Sequence, residues 1–130
     1  MSQKKTSMRT ATGRARGLGS AKEGVGHWWA MRITSIALIP LGLWLMISLL
    51  TLIGAEHAQA HEWLHNPYHA VLMLLFLLFG LHHSAHGMQV VVEDYISTPW
   101  LKHWSLIKNT LLHLAAAGFA IFAVLYVVLK

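Results

Sequence analysis

The sequence predicts an all-α integral membrane protein with three transmembrane helices. Hydrophobic residues make up 55% of the 130-residue chain, and Asp, Glu, Lys and Arg only 12%, about half the charge of an ordinary soluble domain. Those few charges leave three long gaps, 33–55, 63–92 and 109–129, of 23, 30 and 21 residues. A helix that crosses a bilayer needs about 20 mostly apolar residues, and each gap supplies them. A soluble bundle of three such helices would have too few residues left for a polar shell. The composition also excludes a disordered chain, a basic nucleic-acid-binding domain and a charged-surface soluble enzyme. There is no cysteine, which excludes disulfides, thiolate zinc sites, iron–sulfur ligation and cysteine nucleophiles.

Residues 1–27 read as a basic N-terminal segment. Residues 28–130 read as a three-helix membrane domain, with spans at about 30–54, 67–92 and 107–129. Seven of the ten Lys/Arg lie in the first 32 residues: Lys4, Lys5, Arg9, Arg14, Arg16, Lys22 and Arg32. The net charge of +5 therefore describes one end of the chain and points to no nucleic-acid partner. The first span, ITSIALIPLGLWLMISLLTLIGA, is longer than the apolar region of a secretory signal, so it is expected to be retained. Pro40 within it is tolerated in a membrane helix, as a mild kink. Residues 1–24 also have the composition of a mitochondrial transit peptide; a cytoplasmic basic tail is the preferred reading. The second span centres on AVLMLLFLLFGL and the third on LLHLAAAGFAIFAVLYVVL.

Lys/Arg density places the N-terminus in the cytoplasm. Three crossings then put 54–66 outside, 92–106 inside and Lys130 outside. The outer loop holds Glu56 and Glu62 and no Lys/Arg, whereas the inner loop holds Lys102, with Lys108 at its edge. Trp28, Trp29, Trp63, Trp100 and Trp104 fall near helix ends, as an interfacial aromatic belt requires.

Five of the ten histidines, His65, His69, His82, His83 and His86, lie in the second charge gap. Ionisable groups at membrane depth are costly and mark functional sites by default, and a neutral imidazole is a common axial ligand of haem iron. From His83 to Asp94 is eleven residues, three helical turns plus about 20°. His83, Gly87, Val90 and Asp94 therefore share one face. Gly87 leaves room beside His83 for a flat macrocycle. Gly80, Ser84 and Gly87 form a small-residue strip that lets a neighbouring helix approach. His82 and His86, four apart, share a different face. Spacing alone leaves the choice of ligand among these histidines open, against the alternative that they only hydrogen-bond between helices.

The pattern H-x3-G-M-x5-D-Y, here His83, Gly87, Met88, Asp94 and Tyr95, resembles the second helix of the small hydrophobic membrane-anchor subunit of succinate dehydrogenase (complex II), the D-type anchor. The stretch from Arg16 to Leu41, RGLGSAKEGVGHWWAMRITSIALIPL, resembles the segment leading into helix one of bacterial members. The resemblance covers roughly residues 16–110. It implies half of a six-helix anchor bundle in a bacterial inner membrane, with partners in a flavoprotein, an iron–sulfur subunit and a C-type cytochrome b anchor. The chain would then be a non-flavin subunit of a respiratory enzyme, with no independent activity. His83 takes the place of the axial ligand to haem b, whose other ligand comes from the partner anchor. Arg32 takes the place of an arginine near the haem propionates. Tyr95 takes the place of the tyrosine that hydrogen-bonds a ubiquinone carbonyl, preceded by Asp94. His82, His86 and Glu93 depart from the family pattern.

Two readings compete. A single-chain bis-histidine cytochrome would use His83 and His113. A His-rich metal transporter subunit would need ligands repeated on several spans. His57, His61, His65 and His69 are spaced by four, as a helical metal stripe would be, but Pro67 interrupts the run. The simpler reading of 57–65 is a short amphipathic helix on the outer surface.

Overall fold

The computed structural model describes residues 10–15, 17 and 24–130, with Arg14 as backbone alone. Of the basic segment 1–27, residues 1–9, 16 and 18–23 lie outside the described residues, including much of the stretch that leads into helix one. Five helices follow in order: α1 (Ala11–Ala15), α2 (Gly24–Thr51), α3 (His57–His65), α4 (Pro67–Tyr95) and α5 (Pro99–Leu129). There is no strand among the described residues.

Helices α2, α4 and α5 are the three apolar spans, of 28, 29 and 31 residues. At 1.5 Å per residue each is more than 40 Å long, roughly, against about 30 Å of hydrocarbon. This explains where the sequence-derived boundaries fall short. Charge gaps mark the apolar part of a span, whereas the backbone stays helical into the headgroup layer. α2 therefore begins at Gly24 rather than near 30, and ends at Thr51 rather than 54. α5 begins at Pro99 rather than near 107, and α4 runs on to Tyr95. The inner loop expected over 92–106 shrinks to 96–98, and Lys102 sits in the first turn of α5. α2 continues through Pro40, although the proline has no N–H to offer the carbonyl one turn back.

Local chemistry sets the breaks. Gly54 has φ +79°, a left-handed turn that glycine adopts without a Cβ penalty. Pro67 and Pro99 are the first residues of their helices, where a missing N–H costs nothing. Asn66 caps α4 by accepting the Tyr68 N–H at 2.9 Å.

α4 is the central helix. α2 and α5 pack on its two sides and do not pack on each other among the described residues, while α3 lies against α4 and α5. The layer has almost no interior of its own. Among the described residues only Ala70, Val92 and Val124 are buried apolar residues, joined by Thr34, Ser48 and Asn109. Large side chains such as Leu114, Phe119 and Phe122 face outward. In a membrane this costs little, because lipid is as apolar as leucine, and small or polar contacts hold the helices together. The Asn109 side chain donates to the Ala85 carbonyl at 2.9 Å and so fastens α5 to α4. Asn109→Leu is expected to lower stability by about 0.6 kcal/mol, and at most about 1.7, read as an earlier thermal transition in detergent. An unchanged transition would mean that apolar packing alone holds α5.

The two glycines of the small-residue strip do not draw helices together among the described residues. A Cβ on Gly80 would meet Leu38 Cδ2 at an ordinary 3.9 Å, and one on Gly87 would meet nothing within 4 Å.

Candidate functional site

The three histidines of the LHHSAHG segment separate by direction. His83 is half-buried and turns towards α2, with Nδ1 3.0 Å from Thr34 Oγ1. His82 and His86 lie with Ala85, Gln89, Asn109 and His113 on a groove of about 350 Å³ between α4 and α5. The His82 and His86 rings touch, with centroids 4.2 Å apart, and His86 Nδ1 is 2.9 Å from the His82 carbonyl. His27, near the start of α2, places its ring 4.8 Å from that of His86.

His113 has both nitrogens engaged, Nδ1 with the Asn109 carbonyl at 2.9 Å and Nε2 with Ser84 Oγ at 3.1 Å. His83 therefore faces α2 while His113 faces the α4–α5 seam. The structure does not bring them together, so the single-chain cytochrome reading built on this pair loses its geometric basis. The metal-transporter reading fares no better. Among the described residues no three His, Cys, Asp or Glu side chains converge as a metal-holding group. Helix α3 does form over His57–His65, with successive histidine ring centroids 6.4 and 6.1 Å apart. His69 leaves the stripe, as the proline break requires. Its ring lies 4.4 Å from Trp63 and 6.1 Å from Trp44, and its Nδ1 is 3.0 Å from the Trp63 carbonyl.

At the other end of α4, Tyr95 is the last helical residue and is 84% exposed; Asp94 is exposed beside it. Neither side chain has a hydrogen-bond partner among the described residues. Glu93, the extra acid, accepts from Gln89 Nε2 at 2.8 Å, and its carbonyl accepts from Lys102 Nζ at 2.8 Å. That contact fixes the short α4–α5 turn and leaves the Asp94–Tyr95 pair projecting. Arg32 lies over the Trp28 ring at 5.0 Å. Two residues before Thr34, it points about 200° away around α2, so this chain does not bring Arg32 and His83 into contact.

The side chains fit an axial haem ligand at His83. With Nδ1 occupied by Thr34, Nε2 is the free nitrogen. It has no hydrogen-bond partner among the described residues, and none of their side-chain nitrogens or oxygens is both buried and unpartnered, so Nε2 reaches the surface of the layer. The open space at Gly87, one turn on, leaves that side of α4 clear. Sequence reasoning passed over Thr34, His27 and Trp44. For His27, the only available signal was its place seven residues before Thr34, on the same face of α2.

Long apolar spans, little interior among the described residues and polar side chains displayed at its edges define a multi-pass helical membrane protein. The profile of the succinate dehydrogenase/fumarate reductase transmembrane subunit family matches residues 6–128. The chain belongs to this family. It is similar to the succinate dehydrogenase hydrophobic membrane anchor subunit of Rickettsia bellii, 34% identical over 113 residues that cover 87% of this chain and 90% of the relative. The protein of the same name from Paracoccus denitrificans is 36% identical over 62% of this chain and 63% of its own length. That of Rickettsia conorii is 35% identical over 76% and 75%. No solved structure matches.

Proposed function

We propose that this chain is one of two membrane anchors of a succinate:ubiquinone oxidoreductase. In this reading it docks the flavoprotein and iron–sulfur subunits to a bacterial inner membrane. It supplies one axial ligand, His83, to a haem b shared with a C-type anchor, and it lines the ubiquinone-reduction site with Tyr95 and Asp94. The observation that carries the reading is His83 on the central helix of an open layer, its Nε2 at the surface where a partner anchor would pack.

Each role follows from the side chain. A neutral imidazole presents one nitrogen to iron, and Gly87 keeps the neighbouring surface flat. Bound haem supplies a one-electron redox centre within the membrane. The Arg32 guanidinium has the fork geometry for propionate carboxylates. The Tyr95 phenol donates a hydrogen bond to a quinone carbonyl and stabilises charge that develops there. Asp94 accepts a hydrogen bond or a proton at the same edge. The N-terminus is cytoplasmic in this reading, which puts Tyr95 on the side where the soluble subunits bind, while Lys130 is periplasmic.

Purification through a tag on this chain, in mild detergent, tests the assignment. The expected result is co-purification of a flavin-containing subunit, an iron–sulfur subunit and a second three-helix anchor, with succinate-dependent quinone reduction. Recovery of this chain without succinate-oxidising activity would contradict it.

A further inference from the structure

We infer that Thr34 is a positioning residue for His83. It fixes the imidazole tautomer and ring orientation so that Nε2, rather than Nδ1, offers its lone pair to iron. The inference rests on the assignment of His83 as an axial ligand.

Thr34 is one of the three buried polar residues among those described, 4% exposed, in the face of α2 that packs on α4. Its hydroxyl has one proton. Oγ1 is 2.8 Å from the Ala30 carbonyl and 3.1 Å from the Met31 carbonyl, the back-bonding that threonine adopts in helices. A carbonyl oxygen can only accept, so the proton is committed there. Turned the other way, the hydroxyl would face both carbonyls with lone pairs alone. Towards His83, 3.0 Å away, Oγ1 therefore acts as an acceptor, and His83 Nδ1 carries the hydrogen. A neutral imidazole has one N–H, so Nε2 is unprotonated. The chain of donation runs from His83 Nδ1–H to Thr34 Oγ1 and from Thr34 O–H to the Ala30 carbonyl.

This sets His83 apart from its neighbours. His86 Nδ1 bonds back to its own helix, at the His82 carbonyl. The His82 side chain has no hydrogen bond among the described residues. Among the described residues only His83 of the three is hydrogen-bonded to a side chain on another helix, so its ring orientation is set by the α2–α4 crossing. Ligating histidines commonly donate their second ring N–H to such a partner, which fixes the ring and makes the ligand more basic. Loss of partners of this kind typically weakens metal binding by about 10–100-fold.

The test is made on the assembled complex with its haem. Thr34→Val keeps the shape and removes the acceptor, while Thr34→Ser restores it. The expected result for Thr34→Val is an upward shift of the haem midpoint potential, because a less basic ligand stabilises the oxidised iron less. A tenfold loss of that preference corresponds to about 59 mV for a one-electron couple. Low-spin electron paramagnetic resonance should broaden as the ring loses its fixed angle, and Thr34→Ser should return both readouts to the wild-type values. An unchanged potential and signal in Thr34→Val would overturn the inference. Should Thr34→Val fail to assemble, Thr34→Ala against Thr34→Ser decides in the same way: a shift in the alanine variant alone supports the role, and equal potentials refute it. His83→Ala is the control. If it loses the low-spin signal while Thr34→Val leaves it untouched, the ligand assignment stands and the Thr34 role falls. If His83→Ala keeps the signal, the ligand assignment itself fails and takes this inference with it.

Discussion

His83→Ala is expected to abolish the low-spin, bis-histidine haem spectrum of the assembled complex. The loss should be close to complete, because no neighbouring histidine stands ready to replace it. His86 is tied to the His82 carbonyl at 2.9 Å and faces the α4–α5 groove with His82. To reach iron on the His83 side, the His82 ring would have to swing about 100° around α4 and the His86 ring about 60°, at about 100° per helical residue. Alanine is a good helix former, so α4 itself should persist, and loss of haem can be separated from loss of the span. Absorption spectra of the reduced and oxidised complex measure the effect. A wild-type spectrum would move the ligand to His82 or His86, whose own substitutions should then be damaging.

Tyr95→Phe is expected to leave the complex assembled and able to oxidise succinate with an artificial dye acceptor, while quinone reduction falls by an order of magnitude. A tenfold loss corresponds to about 1.4 kcal/mol of transition-state stabilisation, a reasonable size for one phenol hydrogen bond to developing charge. The structure makes this substitution clean. Tyr95 ends α4 and is 84% exposed, and its hydroxyl holds no other described residue, so its loss should not disturb the fold. The alternative role, an interfacial aromatic anchor, needs only the ring, which phenylalanine keeps. Parallel falls in quinone and dye activity would sink the quinone assignment and mark Tyr95 as structural.

The three spans were legible because the bilayer imposes one severe demand, an uncharged stretch of sufficient length, and the gaps at 33–55, 63–92 and 109–129 meet it. Their ends were not legible from charge. Helices continue beyond the charge-free gaps, and Trp28, Trp29, Trp100 and Trp104 sit on regular turns of α2 and α5. The break at Pro67 was readable from proline chemistry, and it does send His69 away from the His57–His65 stripe. The pairing of His69 with Trp63 and Trp44 was not, since it depends on how α3 folds back over the ends of the spans.

The candidate site divides in the same way. His83, Gly87, Asp94 and Tyr95 stand out by local pattern on one helix, and the structure keeps His83 and Gly87 clear on α4 and projects Tyr95 at its end. Contacts between helices carry no such signature. Thr34 is an ordinary residue in an apolar run, and its meaning appears only once α2 and α4 are set in register. His27 had little context in sequence, yet from the Thr34 face of α2 it meets His86 on α4. Arg32 shows the converse. Its assignment came from resemblance alone, and within this chain it rests on Trp28, away from Thr34.

The central claim is that this chain holds half of a haem site. Haem binding by the chain expressed alone, compared with binding when it is co-expressed with the second anchor of the complex, tests it most directly. The chain offers one imidazole nitrogen on an open layer whose buried apolar residues, among those described, are Ala70, Val92 and Val124. The expected result is little haem and poor detergent stability for the single chain, with the bis-histidine spectrum appearing only when both anchors are present. A stable, low-spin bis-histidine haem in the isolated chain would contradict the account.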